Sequence, residues 1–282
     1  MSHPATTLRN LIERGDTIIA PGIFDGLSAK LATQAGFKAL YASGGAIARS
    51  TGRPDIGLLT LTEVVERLRE ITSSTTLPVV ADADTGFGNE LNVARTVQLF
   101  EQAGVCGLHI EDQTFPKRCG HLSGKTLIDQ DDMCLKIKTA VKTRENSDFV
   151  IIARTDAIAV EGFDHALARA RAYIAAGADM IFVEAPETEE QIEIIAKELT
   201  GPKLINMFYG GKTPLVSRDK LTELGYQIVI IPSDLQRAAI FAMQQTLATI
   251  AEYGDSAQIA EQLVSFKERE NIIETARYLS NS

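Results

Sequence analysis

Residues 164–185, DHALARARAYIAAGADMIFVEA, place a helix and a buried strand in immediate succession. Apolar residues follow helical spacing over 164–176, and Gly177 stands where that helix would end. Glycine readily adopts the left-handed conformation that terminates a helix and turns the chain back. The run 179–185 is almost continuously apolar, which is typical of a strand buried on both faces. The stretch therefore predicts one helix–strand unit of a parallel sheet.

The same order of helix, glycine and apolar run occurs at other places in the chain. It appears as Gln34-Ala35-Gly36-Phe37 before residues 39–42, as Gln102-Ala103-Gly104 before 107–110 and as Leu224-Gly225-Tyr226 before 228–231. Helical apolar spacing also separates most of the short apolar runs, for example at 62–73, 92–103, 164–176 and 187–199. The complete set of predicted strands is 17–21, 38–43, 77–82, 106–111, 149–155, 179–185, 203–208 and 227–232.

This alternation predicts an α/β protein with a parallel sheet. Eight units of roughly 30 residues each fit a (β/α)8 barrel of the TIM type. A doubly wound open sheet is the alternative, but no G-x-G-x-x-G motif follows the first predicted strand. No linker or low-complexity stretch divides the chain, so we predict a single domain over 1–282, with an extra helical tail over 252–282.

Composition excludes several classes of protein. The 282 residues are 45% hydrophobic and 23% charged, which argues against a disordered or fibrous chain. A net charge of −9 gives no support for a nucleic-acid or anionic-membrane partner. No apolar run approaches the roughly 18 residues of a membrane span. Three cysteines and an N-terminal stretch without an apolar core lead us to expect a cytoplasmic protein.

Polar side chains follow most of the predicted strands at their carboxyl ends, where barrel enzymes place their active sites. The prediction is therefore that one rim of the barrel forms an active site. The residues at these strand ends are Tyr41-Ala42-Ser43-Gly44-Gly45, Asp82-Ala83-Asp84-Thr85-Gly86, Glu111-Asp112, Arg154-Thr155-Asp156, Glu184, Asn206 and Pro232-Ser233.

Carboxylates are the most prominent of these groups. Asp82 and Asp84 alternate on the third predicted strand and should point to the same side. Glu111 lies on the fourth predicted strand, and Asp55 lies in the loop after the second. Crowded carboxylates without matching cations indicate a divalent cation, and oxygen ligands favour Mg2+ or Mn2+. We expect Asp82 and then Asp84 to bind it directly, with Asp55 and Glu111 holding its water. The alternative is that these carboxylates cap helices or pair with nearby arginines.

The segment KRCGH, residues 117–121, surrounds a cysteine with charge outside any apolar periodicity. Two cations and a histidine beside Cys119 are expected to favour its thiolate. A zinc site is excluded because no second Cys or His stands at ligand spacing. A Cys–His hydrolase, with Cys119 as nucleophile and His121 as base, remains as an alternative, although residues two apart rarely adopt that orientation.

These segments resemble the isocitrate lyase and phosphoenolpyruvate mutase superfamily over about residues 10–250. Tyr-x-Ser-Gly-Gly, Asp-Ala-Asp-x-Gly-Phe-Gly, Gly-Leu-His-Ile-Glu-Asp-Gln and Ile-Ala-Arg-Thr-Asp-Ala all match it. Lys-Arg-Cys-Gly-His is the signature of its isocitrate and methylisocitrate lyases; the mutases and decarboxylases lack it, whereas the oxaloacetate hydrolases carry it. The short chain is similar to the methylisocitrate and 2,3-dimethylmalate lyases, since isocitrate lyases carry large insertions.

The resemblance implies a Mg2+-dependent lyase that cleaves the C2–C3 bond of a 2-hydroxy acid into a 2-oxo acid and a second carboxylic acid. Such a cleavage needs a base, a cation for the developing charge and an acid for C3. By motif position Tyr41 is the base, helped by the metal and nearby cations, Asp82 holds Mg2+ and Cys119 is the acid. Lys117 and His121 complete the catalytic set.

Substrate contacts also follow from the resemblance. Backbone N–H groups and a hydroxyl at Ser43, Gly44 and Gly45 suit the carboxylate of the 2-oxo acid, and Arg154 suits a bidentate carboxylate clamp. The other positions that match substrate contacts of the family are Gly120, His121, Glu184, Asn206 and Arg237.

Three features qualify the expected activity. Phe208-Tyr209 stand where methylisocitrate lyases have Thr-Glu, which favours a smaller or more apolar substrate such as a substituted malate. Oxaloacetate hydrolysis or decarboxylation, or a phosphonate P–C activity, is the alternative, but Pro232 stands where oxaloacetate hydrolases have Ser. A non-catalytic barrel would be expected to lack residues such as Tyr41, Asp82, Cys119 or Arg154, and all are present.

The family also implies a homodimer or tetramer that swaps the C-terminal helix.

Overall fold

The computed structural model describes residues 3–120 and 122–280. Its centre is a closed barrel of eight parallel strands in chain order, which confirms the predicted barrel and excludes the open sheet. Closure is made by the first and last strands, with Ile18 in register with Ile228. The strands are β1 Ile18–Ile23, β2 Leu40–Ala42, β3 Val79–Asp82, β4 Gly107–Glu111, β5 Val150–Thr155, β6 Met180–Val183, β7 Lys203–Asn206 and β8 Ile228–Ile231.

Helices surround the barrel and form its outer layer, as the apolar spacing predicted. Their capping follows ordinary rules: Thr60 and Glu63, for example, form a capping box at the start of the helix Leu61–Ser73. The helices are α1 Pro4–Glu13, α2 Gly26–Gln34, α3 Gly44–Ser50, α4 Leu61–Ser73, α5 Glu90–Gln102, α6 Gln130–Thr143, α7 Ile158–Glu161, α8 Phe163–Ala175, α9 Glu189–Glu198, α10 Arg218–Glu223, α11 Asp234–Tyr253, α12 Phe266–Ile272 and α13 Thr275–Leu279.

Two apolar clusters hold these layers together. The larger lies between strands and helices, where Leu68 of α4 and Phe100 of α5 are fully buried. The smaller includes residues near the beginnings of the strands, and α1 contributes the fully buried Leu8 to it. α1 therefore covers one end of the barrel and leaves the carboxyl ends of the strands as the accessible end.

The tail differs in detail from the predicted helical segment 252–282. α11 continues to Tyr253, and a short 3-10 helix at Ala257–Gln262 precedes α12 and α13. α13 follows Glu274, which pairs with Lys30 of α2. No helix within the described residues has the length and apolar character required to cross a bilayer.

Candidate active site

A cavity of about 310 Å3 lies at the carboxyl ends of the strands. Most of the residues predicted from the strand ends and the cysteine segment meet there. Gly44, Asp84 and Glu111 lie close to the lining residues, as described below, whereas His121 lies outside the described residues. The predicted residues that line the cavity are Tyr41, Ser43, Gly45, Asp55, Asp82, Lys117, Cys119, Gly120, Arg154, Glu184, Asn206 and Arg237.

The turn after β2 brings backbone very close to two carboxylates. Ser43 caps α3, with its hydroxyl accepting from the N–H of Ala46 at 3.3 Å. A Cβ atom on Gly44 would stand 2.7 Å from Oδ2 of Asp82, and one on Gly45 would stand 2.8 Å from Oδ2 of Asp55. Glycine at both positions therefore permits an approach that a side chain would obstruct.

Asp82, at the end of β3, is one of the carboxylates that line the cavity. Its Oδ1 accepts the N–H of Asp84 at 3.0 Å, and its Oδ2 accepts a long hydrogen bond from Tyr41 at 3.4 Å. Burial opposes ionisation, yet nearby His109, Lys117 and Arg154 lower the pKa of Asp82 to about 2. Asp82 therefore presents an ionised carboxylate at neutral pH.

His109 of β4 is a site residue that the sequence analysis missed. It lies beside Asp82 across the β3–β4 pair, and its Nε2 is 2.8 Å from the hydroxyl oxygen of Tyr41. Burial lowers its pKa to about 4, so the ring is neutral at pH 7. The signal was available, because His109 and Glu111 alternate on one strand and therefore share a face.

Tyr41, whose pKa was expected to be lowered by the metal and nearby cations together, has a raised pKa in the chain itself. Burial, reinforced by Asp82, holds the pKa of Tyr41 well above its ordinary value. Arg154 and Lys117 act in the opposite direction but do not outweigh burial. Ionisation of this phenol therefore needs positive charge beyond that of the chain itself.

Lys117 corrects the expectation that the carboxylates have no matching cations. Its buried ammonium forms ion pairs with Asp55 and, at 2.8 Å, with Asp84. Burial opposes the charge, but the surrounding carboxylates, Asp84 first, raise the pKa of Lys117 well above its ordinary value. Asp84 also lies beyond the end of β3 with φ 46°, so it does not alternate with Asp82 along the strand as predicted.

Arg154 and Glu111 are neighbours on β5 and β4. Arg154 Nη1 is 3.3 Å from Oε2 of Glu111, while its Nε and Nη2 donate to Asp156 at 2.9 and 3.1 Å. Both carboxylate oxygens of Glu111 are buried without a hydrogen-bond partner among the described residues. Burial raises the pKa of Glu111 well above its ordinary value.

The far side of the cavity is formed by the ends of β6, β7 and β8. Asn206 Nδ2 donates to Oε1 of Glu184 at 3.3 Å. Arg237 is half exposed at the rim, where its Nη1 donates to the carbonyl oxygen of Tyr209 at 2.7 Å and to Asp234 at 3.1 Å. Apolar side chains on this side are Phe208, Ile230, Pro232 and Ile240, and Ser233 and Gln236 add polar groups to the lining.

The cysteine segment closes another side of the cavity. Gln113 and Arg118 form reciprocal hydrogen bonds at 2.8 and 2.9 Å, and Arg118 Nη1 also donates to the carbonyl oxygen of Ser123. Lys117 is thus paired with carboxylates, and the Arg118 guanidinium is bonded to a backbone carbonyl of the loop. Cys119 itself lines the cavity and is partly exposed.

The donor set fits one hydrated divalent cation. Among the described residues, no group of three or more His, Cys, Asp or Glu side chains is arranged to hold a metal ion. Mg2+, however, typically keeps several waters and needs only one or two carboxylates. Ionised Asp82 supplies one, and the buried Glu111 oxygens without hydrogen-bond partners are suited to accept from metal-bound water.

Comparisons with known proteins show which proteins this chain is similar to. A model of the phosphoenolpyruvate phosphomutase family matches residues 8–251. The chain is 43% identical over 267 residues to 2,3-dimethylmalate lyase of Eubacterium barkeri, covering 94% of this chain and 92% of the relative. It is 45% identical over 273 residues to 2-methylisocitrate lyase of Aeropyrum pernix, covering 97% of this chain and 88% of the relative.

Solved structures give the same picture. A crystal structure of 2,3-dimethylmalate lyase superposes with a TM-score of 0.93 at 37% identity, covering 99% of this chain and 94% of the other. A phosphonopyruvate hydrolase in complex with oxalate and Mg++ superposes with a TM-score of 0.90 at 31% identity, covering 99% and 98%. Similarity therefore extends over the whole barrel and includes relatives with different reactions.

Proposed function

The chain belongs to the phosphoenolpyruvate phosphomutase family, and from this premise we propose that it is a Mg2+-dependent carbon–carbon lyase of the oxo-acid-lyase class. It cleaves the C2–C3 bond of a 2-hydroxy di- or tricarboxylate into a 2-oxo acid, such as pyruvate, and a second carboxylic acid. The observation that carries the proposal is the grouping of Tyr41, Asp82, Cys119 and Arg154 around one cavity. Identities of 43% and 45% to two lyases support it.

Asp82 is the residue that would hold Mg2+ directly, with Asp84 as the second candidate. Glu111 and Asp55 would accept hydrogen bonds from water around the ion. When bound, the ion polarises the oxygen on C2 and stabilises the charge that develops there. Lys117 pairs with Asp55 and Asp84, balances part of their negative charge and holds both carboxylates in position.

Tyr41 is the proposed base for the C2 hydroxyl proton. Its hydrogen bond with His109 Nε2, at 2.8 Å, orients the phenol in a wholly buried position. Because burial raises the pKa of Tyr41, the phenolate form requires the additional positive charge of the occupied metal site. Arg154 and Lys117 act in the same direction from within the chain.

The remaining residues bind the two ends of the substrate. Ser43, Gly44 and Gly45 would donate to the carboxylate of the 2-oxo acid. Arg154, already oriented by Asp156, presents a planar fork for the carboxylate that becomes the second product. Glu184, Asn206, Arg237 and Gly120 complete the contacts, and His121 is assigned with them by its motif alone.

Cys119 is the proposed acid that returns a proton to C3 after cleavage. The carbanion on C3 is stabilised by delocalisation into the adjacent carboxylate, so a thiol is acidic enough to protonate it late in the reaction. Removing the proton of the C2 hydroxyl at Tyr41, breaking the C2–C3 bond as C2=O forms, and adding a proton at C3 balances the reaction without a covalent intermediate. Cys119 lines the cavity, which is one condition for this role.

The apolar side of the cavity favours a substituted malate as substrate. Phe208, Ile230, Pro232 and Ile240 suit alkyl groups on C3. Besides Arg154, two arginines line the cavity, but both are engaged by the chain: Arg237 donates to Tyr209 and Asp234, and Arg49 donates to Gln236. Oxaloacetate hydrolysis or a phosphonate reaction remains the alternative within the family.

The enzyme is further proposed to act in the cytoplasm as a homodimer or homotetramer. A reducing compartment would keep the Cys119 thiol available as an acid. α11 exposes a series of large apolar side chains, among them Phe241, Leu247 and Tyr253, which a second copy of the chain would cover. Light scattering on the purified protein measures the oligomeric state directly.

A substrate screen tests the proposed reaction. Purified enzyme with Mg2+ would be incubated with 2,3-dimethylmalate, 2-methylisocitrate, isocitrate or oxaloacetate, and release of the 2-oxo acid (pyruvate, or glyoxylate from isocitrate) would be followed by coupled reduction. We expect the dimethylated malate to react best. Production of oxalate and acetate from oxaloacetate, with no 2-oxo acid from any hydroxy acid, would instead establish the hydrolase alternative.

A further inference from the structure

Lys125 lies just beyond the cysteine segment and has a side chain that is only 2% exposed. Its ammonium donates to the carbonyl oxygen of Gly120 at 2.5 Å and to Oδ1 of Asp156 at 2.9 Å. Gly120 directly follows Cys119 in the chain. One buried cation thus joins the backbone beside the thiol to a carboxylate at the end of β5.

Asp156 is the same carboxylate that orients Arg154. Its Oδ1 receives both Lys125 and Arg154 Nη2, and its Oδ2 receives Arg154 Nε at 2.9 Å. The backbone N–H of Asp156 donates to Asp112 at 2.9 Å, and Asp112 in turn accepts from the hydroxyl of Tyr173 in α8 at 2.8 Å. Asp156 is therefore anchored to the outer helix layer and does not depend on the cavity for its position.

Gly120 of the cysteine segment also packs directly against Arg154. A Cβ atom on Gly120 would stand 2.5 Å from Arg154 Nη2 and 2.6 Å from Oε1 of Glu184. Such close approach leaves Gly120 little freedom to shift while Lys125 holds its carbonyl oxygen. The distance between the thiol and the arginine fork is consequently set through Asp156.

We propose that Lys125 is a positioning residue that holds Cys119 at a fixed place relative to Arg154. This inference rests on the proposed function, in which Cys119 gives a proton to the fragment that Arg154 binds. Proton transfer depends steeply on the separation of donor and acceptor, and misplacement of a catalytic group by about 1 Å can cost about 10²-fold in rate. Substrate binding depends less on Lys125, because Arg154 keeps its other contacts with Asp156 and Glu111.

The test compares Lys125→Met with a matched control. Lys203→Met removes another largely buried lysine that donates to a backbone carbonyl, that of Gly201 at 2.9 Å, at the opposite end of the barrel. Two measurements use the resting enzyme: hydrogen exchange of the segment 117–124, and alkylation of Cys119 by iodoacetamide, quantified by peptide mass spectrometry. A third measures kcat and KM with the best substrate of the screen.

For Lys125→Met we expect faster exchange in 117–124, an altered rate of Cys119 alkylation and a kcat reduced by about 10- to 10²-fold, with KM near that of wild type. Lys203→Met should change none of these. If Lys125→Met does not fold, Lys125→Gln, which retains a neutral donor, replaces it.

Unchanged exchange and alkylation in the Lys125 variant would overturn the proposal. So would an equal change in both lysine variants, or a rise in KM with kcat unaffected. The exchange and alkylation measurements require no turnover. A wild-type enzyme without lyase activity would therefore contradict the proposed function, while these two measurements would still test whether Lys125 holds Cys119 in position.

Discussion

Gly44 and Asp82 approach each other so closely that a methyl group on residue 44 would lie 2.7 Å from Asp82 Oδ2. The backbone that is proposed to bind the 2-oxo acid and the carboxylate that is proposed to bind the metal therefore form one contiguous surface. An added side chain at this point must displace either the turn or the carboxylate.

Gly44→Ala should consequently weaken Mg2+ binding and turnover together. We expect kcat/KM to fall by at least about tenfold, because the methyl group would move a charged ligand in a tightly packed site. Calorimetric titration with Mg2+ and steady-state kinetics measure the two effects. A variant with normal Mg2+ affinity and normal kinetics would show that the turn and Asp82 can move apart without loss of function.

Asp82→Ala should abolish metal-dependent turnover while the protein remains folded. The variant loses an ionised carboxylate that lines the cavity, whereas the core clusters are untouched. Activity is measured as a function of Mg2+ concentration, with Asp16→Ala, an exposed residue between α1 and β1, as the control. Full activity of chelator-treated wild type would refute the requirement for a metal.

Cys119→Ser tests the acid. Serine keeps a proton and nearly the size of the thiol but is far less acidic, so kcat should fall by about 10²- to 10⁴-fold. Binding of pyruvate with Mg2+ should survive, since other residues hold that fragment. Cys134→Ser on α6 serves as the control and should leave kcat unchanged.

A covalent adduct on Cys119, detected by mass after quenching during turnover, would identify the thiol as a nucleophile instead. Near-normal kcat in Cys119→Ser would likewise remove the basis for the acid role.

Asp156→Asn should reduce stability in a pH-dependent manner. Burial disfavours the charge of Asp156, but Arg154 and Lys125 hold its pKa well below the ordinary value. A lowered folded-state pKa contributes stability above the unfolded value of about 4, and this contribution is lost as the pH falls below it.

Removing the charge leaves two buried cations without their shared partner, so we expect a loss of about 3–5 kcal/mol at pH 7. Denaturant unfolding at pH 7 and at successively lower pH values measures the difference from wild type, which should narrow below about pH 4. A difference independent of pH would mean that the ion pairs contribute little.

The architecture could be predicted from local sequence because barrel strands are buried on both faces. The run 106–111 corresponds to Gly107–Glu111, and 149–155 corresponds to Val150–Thr155. The concentration of polar groups at one rim followed from the same pattern, since parallel strands end together.

The pairing within the rim could not be predicted in this way. Lys117 reaches Asp55 and Asp84 from a loop distant in sequence, and only the closed barrel brings these residues together. The left-handed backbone conformation of Asp84 also could not be predicted from the spacing of apolar and polar residues. The roles of His109 and Lys125 likewise depend on contacts between segments distant in the chain, with Tyr41 and with Asp156.

Closure of the barrel also has a consequence for how the chain reaches this structure. The strand that begins at Ile18 has no partner on one side until the strand that begins at Ile228 is present. Pairing of such distant segments carries a large loop-closure entropy and slows folding. During synthesis, the edges of β1 and of the growing sheet therefore stay exposed until nearly the whole chain has emerged, and this is the period in which we expect the protein to depend most on chaperones.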